Sequence, residues 1–455
     1  MRKIFTVVVI ICALLLLVSC SSGAKTPATN TPATNTPATN TPATSTPTTN
    51  TPSINAPVIV PTDDHEIYKM AAGGAVDLVG IRKMPMASRA DIYKALPSEP
   101  KQNITIGFAI SGVGNDYFGG LVTFSVEAAA AYGYTLHAVA ADFDLEKQSQ
   151  QIDNFITMKV DAIIVDAVEP AAAAEDIQKA VNAGIPVVCY GPSSIENVPV
   201  VTYVNDALYV QGWTVGRMTA DAVGKDTSLK IGVFCGFAGL NTAESQVCGQ
   251  IGGLIYERYL QKGVPFADER DAMVVGTKLF RQLRDSGYAS DTTADIELLT
   301  YLQHGFTTDG GLTRGETALV SFPQMNLMIS DAGGAALGLI QAAQEANKKI
   351  GVDFWVASSG DTTTAVLKAV KDGLLLTSGH LTPAEAAGNV VNLVHLIFSG
   401  GFDANNLPLT TFQPILIISK ANVDQFYDAS LTWPVIPLIQ EFKSIDQLNA
   451  ESSLY

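Results

Sequence analysis

The chain has 455 residues, with 28 Lys+Arg against 44 Asp+Glu, a formal net charge of −16. That length corresponds to roughly two to three domains. Hydrophobic residues at 47% and charged residues at 16% supply buried cores and exclude a disordered chain, while the acidic balance argues against a nucleic-acid or anionic-membrane surface, which selects for excess Lys and Arg.

Met1-Arg2-Lys3 is followed by an apolar run from Ile4 to Val18, interrupted only by Thr6. At about 15 residues it is short for a permanent membrane helix and fits the core of an export signal. It ends in Leu17-Val18-Ser19-Cys20, which resembles the bacterial lipoprotein box. That resemblance implies a signal peptide over 1–20, acylation of Cys20, and an exported, membrane-anchored protein facing periplasm or cell exterior. Residues 26 to 52 then repeat Thr-Pro-Ala-Thr-Asn with a period of five. Proline at that spacing forbids helix and sheet ladder alike, so 21–52 is an extended linker. With Cys12 in the signal and Cys20 in the box, Cys189, Cys235 and Cys248 remain. Three is odd, so at least one is free or pairs outside the chain, and a Cys235–Cys248 disulfide is left open.

Residues 53–102 form an N-terminal extension with helical character at 64–72 and 88–96. From Asn103 a βα alternation begins. The pattern predicts strands at 103–110, 134–140, 162–165, 185–189 and 200–204, with helices at 118–132, 146–158, 175–183 and 210–223 between and after them. Ala162-Ile-Ile-Val165 is wholly apolar, as strands buried on both faces of a parallel sheet are. The alternation restarts at Leu229: strand 230–235, helix 243–261, strand 273–275, then an irregular stretch, 276–322, holding one helix at 294–303. Strands at 326–329, 354–357 and 374–378 follow, with helices at 334–347, 363–371 and 383–399, and a late strand at 414–418. Two such runs imply an α/β protein of two doubly wound parallel-sheet lobes, and the late strand suggests that the chain crosses between them more than once.

Several strings in this order resemble the type I periplasmic binding proteins, the ribose/galactose-type sugar-binding proteins of ABC importers. They are Ile106-Gly-Phe-Ala-Ile with Asn115-Asp-Tyr-Phe118, Val160-Asp-Ala-Ile-Ile-Val-Asp166, Ala183-Gly-Ile-Pro-Val-Val188 and Lys368-Ala-Val-Lys-Asp-Gly373. The resemblance covers about residues 103–420. It implies two Rossmann-like lobes joined by a three-segment hinge: 103–205 plus 381–411 as lobe 1, and 206–380 plus 412–445, with the enlarged segment 276–322, as lobe 2. It also implies a small polar ligand, most simply a monosaccharide or polyol, handed to ABC permease subunits by a monomer that needs no cofactor. The rival within this class is a receptor for a membrane sensor, or a binder of a non-sugar such as a nucleoside.

In open parallel sheets ligands sit beyond the carboxyl ends of the strands. The candidate ligand residues there are Asn115, Tyr117, Phe118, Asp166, Tyr190, Asn205, Asn241, Gln250, Asp331, Asp361 and His380. Amides and carboxylates hydrogen-bond sugar hydroxyls, and aromatic faces cover the apolar face of the ring. Seven of them have a plainer reading beside the functional one: Tyr117 and Phe118 as core aromatics, Asp361 as the cap of the helix after it, Asp166 as a turn residue or cap, Asn241 and Gln250 as surface helix residues, His380 as a structural histidine. Trp213 and Trp355 read as core, and Asp142-Phe-Asp-Leu-Glu146 as a solvated turn rather than a calcium loop. Two arginines of the resembled family are missing, with Gly191-Pro192 after Tyr190 where that family has Asp-Arg and Gln250 at the place of the other arginine, and Leu381 stands where that family has a late glutamine. Ribose itself is therefore disfavoured. An enzyme is disfavoured too. Gly112-Val-Gly114 lacks the third glycine of a dinucleotide fingerprint, Tyr117 standing in its place, and neither Gly-x-Ser-x-Gly nor His-Glu-x-x-His occurs.

Overall fold

The computed structural model describes residues 95–112, 116–191, 199–206, 208–267, 269–400, 410–413 and 416–436. The signal, Cys20, the linker and nearly all of the extension lie outside these residues. The first sheet contains β1 (Thr105–Ile110), β2 (Thr135–Ala140), β3 (Ala162–Asp166), β4 (Val187–Tyr190), β5 (Tyr203–Asp206) and β12 (Thr410–Gln413), in the order β12-β5-β4-β3-β1-β2. Every pairing in it is parallel. Ile106, Phe108, Ile163, Ile164, Val165 and Val187 are fully buried, because helices cover both faces: α1 (Asp116–Ala131), α2 (Leu145–Met158) and α3 (Pro170–Asn182).

The second lobe restarts the pattern after α4 (Leu208–Val223) with β6 (Leu229–Cys235) and α5 (Asn241–Gln261). These are followed by α6 (Glu269–Ser286), β7 (Ala289–Asp291), β8 (Ile296–Gln303), α7 (Thr308–Ser321), β9 (Leu327–Ser330), α8 (Gly333–Glu345), β10 (Trp355–Ser358) and α9 (Thr364–Lys371). Its sheet runs β10-β9-β6-β8-β7, with only the β7 edge antiparallel. A two-stranded sheet pairs β11 (Thr377–Gly379) with β13 (Ile417–Ser419).

The chain passes between the lobes three times. It leaves the first sheet at β5 for α4, which packs on α5. It returns from β11 through α10 (Pro383–Ser399), whose Ala386, Val390, Leu393 and Val394 join the first lobe's core. It leaves again from β12 to β13. Helices α4 and α5 approach unusually closely. A Cβ on Gly216 would stand 2.1 Å from the Gln250 carbonyl oxygen, and one on Gly253 2.0 Å from that of Trp213. Only glycine permits this spacing.

Two expectations in the second lobe are corrected. Residues 273–275 lie inside α6 rather than in a strand: Ala272, Met273, Gly276, Leu279, Phe280 and Leu283 make one buried helical face, which outweighs the local preference of two valines. The helix expected over 294–303 is instead the strand β8, Ile296–Gln303. Its apolar run fits either period, and the open edge of β6 captured it as a parallel neighbour. The irregular stretch 276–322 is thus the end of α6, a β7–β8 hairpin and α7. The cysteines are settled as well. Cys189, Cys235 and Cys248 form no disulfide among the described residues and are buried, Cys248 lying 3.4 Å from the Thr277 hydroxyl. Trp213 and Trp355 are core residues, 0% and 8% exposed.

Candidate functional site

Both large sheets deliver polar side chains at their carboxyl ends. In the first lobe, the Ser111 amide and hydroxyl donate to the Asp166 carboxylate at 3.1 and 2.6 Å, tying the ends of β1 and β3 together. The hydroxyls of Tyr117, in the first turn of α1, and Tyr190, at the end of β4, meet at 2.5 Å. Phe118 and Phe143 pack edge to face at 5.6 Å, and both rings lie over Gly112, where a Cβ would come within 2.6 Å of each. Asp206, the last residue of β5, accepts from the Gln413 amide of β12 at 2.7 Å, and Gln413 accepts from Asn389 of α10 at 2.5 Å. Beside this chain of contacts His380 accepts from the Leu416 amide at 3.0 Å and meets Glu385 at 3.1 Å. All three crossings between the lobes are therefore laced by buried polar contacts.

In the second lobe, Asp361 follows β10 with a φ of 35°, a left-handed conformation that costs a non-glycine residue about 1–3 kcal/mol. Such strain is held by surrounding structure, and here Gln211 donates to the Ser359 carbonyl. Gln250 donates to Ser359 Oγ and to the Ser330 carbonyl, each at 2.9 Å. Gln246, with its amide turned to suit the acceptors around it, donates to the Ser359 and Asp331 carbonyls at 3.1 and 3.2 Å. Asp331 meets His304 Nε2 at 2.9 Å and accepts from the Gly236 amide at 3.2 Å. Ser330 Oγ reaches the same His304 nitrogen at 3.2 Å. One imidazole nitrogen thus serves both neighbours, so this trio is a brace and not a relay from acid through histidine to serine.

The lobes meet over Tyr117. Its ring lies edge-on to Trp433 at 6.3 Å. Trp433 follows Thr432, whose carbonyl accepts from the Thr364 amide at the start of α9 in the second lobe. Burial holds the Tyr117 hydroxyl well above its usual pKa, and the charges of Asp206, Asp361 and Asp166 add to that, against a smaller opposing effect of the Tyr190 hydrogen bond. The carboxylates are perturbed too. Burial raises Asp166 to about 6 against the hydrogen bonds from Ser111. Burial raises Asp206 to about 7, partly offset by His380. Burial and then Asp331 raise Asp361 to about 7, against His304. For His380, burial works to lower the pKa, but Glu385, Asp206 and the Leu416 carbonyl together raise it.

Of the residues singled out from sequence, Tyr117, Tyr190, Asp166 and Asp361 come together at this junction, with Phe118 beside them over Gly112. Asp361 does not cap α9: the cap is Thr363, which accepts from the Val366 amide. Gln250 and Asp331 are buried behind the junction, not on the surface, and His380 is a buried part of the lacing between the crossings. Asn115 lies outside the described residues, as do the side chains of Asn205 and Asn241. In the 142–146 turn, Asp144 caps α2, accepting from the Lys147 amide. Three residues at or behind the junction escaped sequence reasoning. Gln246 sits one helical turn before Gln250 on the same face, so its signal was present. Gln413 and Trp433 belong to the late return segments, outside the βα repeats, and only the isolation of Trp433 between Thr432 and Pro434 marked it.

Residues 106–401 match the family described as the periplasmic binding protein domain. The chain belongs to this family. Among its relatives, the periplasmic binding protein is 25% identical over 259 residues to the ABC transporter periplasmic-binding protein YphF of Escherichia coli, a match spanning 55% of this chain and 66% of that protein. It is 24% identical over 250 residues to the ribose import binding protein RbsB of Bacillus subtilis, spanning 55% and 68%. Solved structures share its two-lobed fold. One from Mycobacterium smegmatis, in complex with β-D-fucofuranose, superposes with a TM-score of 0.56 at 20% identity, covering 71% of this chain and 93% of its own. Another is the binding component of the arabinose ABC transporter of Shewanella sp. ANA-3, with a TM-score of 0.56 at 19% identity over 70% and 93%.

Proposed function

We propose that this periplasmic binding protein is a lipid-anchored, extracytoplasmic solute receptor. It captures one small polar ligand, a monosaccharide or related polyol, between its lobes and delivers it to the permease of an ABC importer. The observation that carries this reading is the junction itself. Tyr190 and Asp166 stand at strand ends of one lobe with Tyr117 at the start of its helix α1, and Asp361 and Trp433 stand at the facing edge of the other, so hydrogen-bond acceptors and aromatic rings converge from both sides. The relatives that import ribose and arabinose support the ligand class, and the sequence up to Cys20 with its proline-rich linker supports the anchor.

Binding shifts the lobes toward closure because a ligand touching both lobes has its full contacts only in the closed state. A thermal-shift screen of pentoses, hexoses and polyols on protein refolded free of carried-over ligand tests the proposal. A ligand at 100 times its dissociation constant raises apparent stability by about 2.7 kcal/mol. Silence across all three classes, or scattering profiles that do not contract with a confirmed ligand, refutes it.

A further inference from the structure

The loops that leave the strand ends at the junction carry no lysine or arginine. The described residues 111–112, 116–118, 141–146, 166–170, 190–191, 199–200, 206, 208, 236–241, 304–308, 331–333 and 359–364 contain only acidic charges, apart from His304. Among the described residues, each Lys or Arg whose side-chain ion pair or hydrogen bond is resolved makes it elsewhere. Examples are Arg217 with Glu257, Arg258 with the Ala294 carbonyl and Arg284 with Glu244.

Asp361 is the sharpest case. Its strained backbone fixes a carboxylate whose charge acts on the Tyr117 hydroxyl, yet it accepts no hydrogen bond among the described residues. Among the described residues Asp166 has donors on one oxygen, both from Ser111, and Asp206 is met by the neutral amide of Gln413. His380 and His304 offset the burial of Asp206 and Asp361 only in part, carboxylates kept this dry with no lysine or arginine beside them are costly, and a bound cation relieves that cost. The rings of Tyr117, Tyr190 and Trp433 offer the aromatic faces that an ammonium group also favours.

We propose that the ligand of this cleft carries a protonated amine: an amino sugar, an aminocyclitol or a similar amino polyol, with its ammonium group set against Asp361. The inference rests on the receptor reading above and names the ligand class within it. Burial that keeps Asp361, Asp206 and Asp166 partly protonated near neutral pH is the condition that an arriving cation reverses.

Calorimetric titration of the full-length protein with matched pairs tests this: D-glucosamine against D-glucose, and D-galactosamine against D-galactose, with the N-acetylated sugars as neutral controls. At least one amine should bind about tenfold or more tightly than its neutral partners, the order of one charge-assisted contact. Asp361→Asn should erase most of that preference while keeping the fold, since asparagine accepts a left-handed backbone. Equal or tighter binding of the neutral sugars overturns the amine and leaves the sugar-receptor reading standing. An amine preference that persists in Asp361→Asn overturns the assignment to Asp361. No binding by either member of any pair removes the inference together with the sugar reading on which it rests.

Discussion

Two glycine-to-alanine substitutions in second-lobe helices should act with opposite signs, and the structure sets both. At Gly253 the new methyl would lie 2.0 Å from the Trp213 carbonyl oxygen and 2.9 Å from its carbon. An acceptable C···O contact begins near 3.3 Å, so α4 and α5 must separate by about 1.3 Å. The obstacle is backbone on both sides, with no flexible side chain to yield. Overpacking of a side-chain core costs about 1–3 kcal/mol, and a backbone clash belongs at or above the upper end. Gly253→Ala should therefore lose about 3 kcal/mol, or about 6–12 °C in Tm at 2–4 °C per kcal/mol. At Gly334, in the first turn of α8, an added Cβ meets nothing within 4 Å, and alanine should stabilise by about 0.5–1 kcal/mol through a less flexible unfolded chain. The effect of Gly253→Ala should also reach the site, because Gln211 on α4 and Gln246 and Gln250 on α5 hold the Ser359–Asp361 loop. Urea unfolding of both variants, with ligand titration of the folded protein, measures the two consequences. A Gly253→Ala loss below about 0.5 kcal/mol, or two variants of the same sign, would refute the reasoning from helix spacing.

Tyr117→Phe removes the hydroxyl that meets Tyr190, and Trp433→Ala removes the ring bridging the lobes. Each should weaken ligand binding by about tenfold or more in calorimetry, with Tm in the absence of ligand changing by only a few degrees; unchanged affinity in both would remove this face from the site. The raised carboxyls set a pH dependence. The folded protein holds protons on Asp206 and Asp361 that the unfolded chain releases near pH 4. Their favourable contribution is therefore complete below about pH 4 and is lost as pH rises through about 7. His380, also raised, acts in the same direction. Asp206→Asn should flatten the fall in stability of the ligand-free protein between pH 5 and 8, and an unchanged slope in denaturant titrations across that range contradicts the assignment. Because Cys189, Cys235 and Cys248 are reduced and buried, a thiol reagent should label them only after unfolding; rapid labelling of the native protein contradicts their burial. Cys20→Ser should leave the protein in the soluble fraction instead of the membrane fraction, and retention in the membrane would argue against the lipid anchor.

Much of the fold was legible because its signals are local. The buried runs Ile106–Ile110 and Ala162–Val165, the Gly184 and Gly373 helix ends and the Pro383 helix start each declare themselves within a few residues. The hairpin of β7 and β8 was not legible, since Ile296-Glu-Leu-Leu-Thr-Tyr-Leu-Gln303 has apolar spacing compatible with a helix until the edge of β6 is available to pair with it. In the site, residues immediately past strand ends, Tyr117, Asp166, Tyr190 and Asp361, followed from the general placement of ligands on parallel sheets. Trp433 did not, because it arrives by a return segment more than 300 residues from Tyr117.

The amino-acid sequence by itself determined the two-lobed βα alternation and the absence of basic residues from the described loops at the strand ends, and it carries the expectation of an export signal and linker, since each depends on residue order and type alone. Tertiary structure alone decided that Asp361 is strained and without a donor among the described residues rather than a helix cap, that Gln250 and Asp331 brace the loop from behind, and that Trp433 lies edge-on to Tyr117. Those facts depend on which distant segments pack together. The close approach of α4 to α5, set by glycines on both helices, brings Gln211, Gln246 and Gln250 to the one loop that carries the carboxylate.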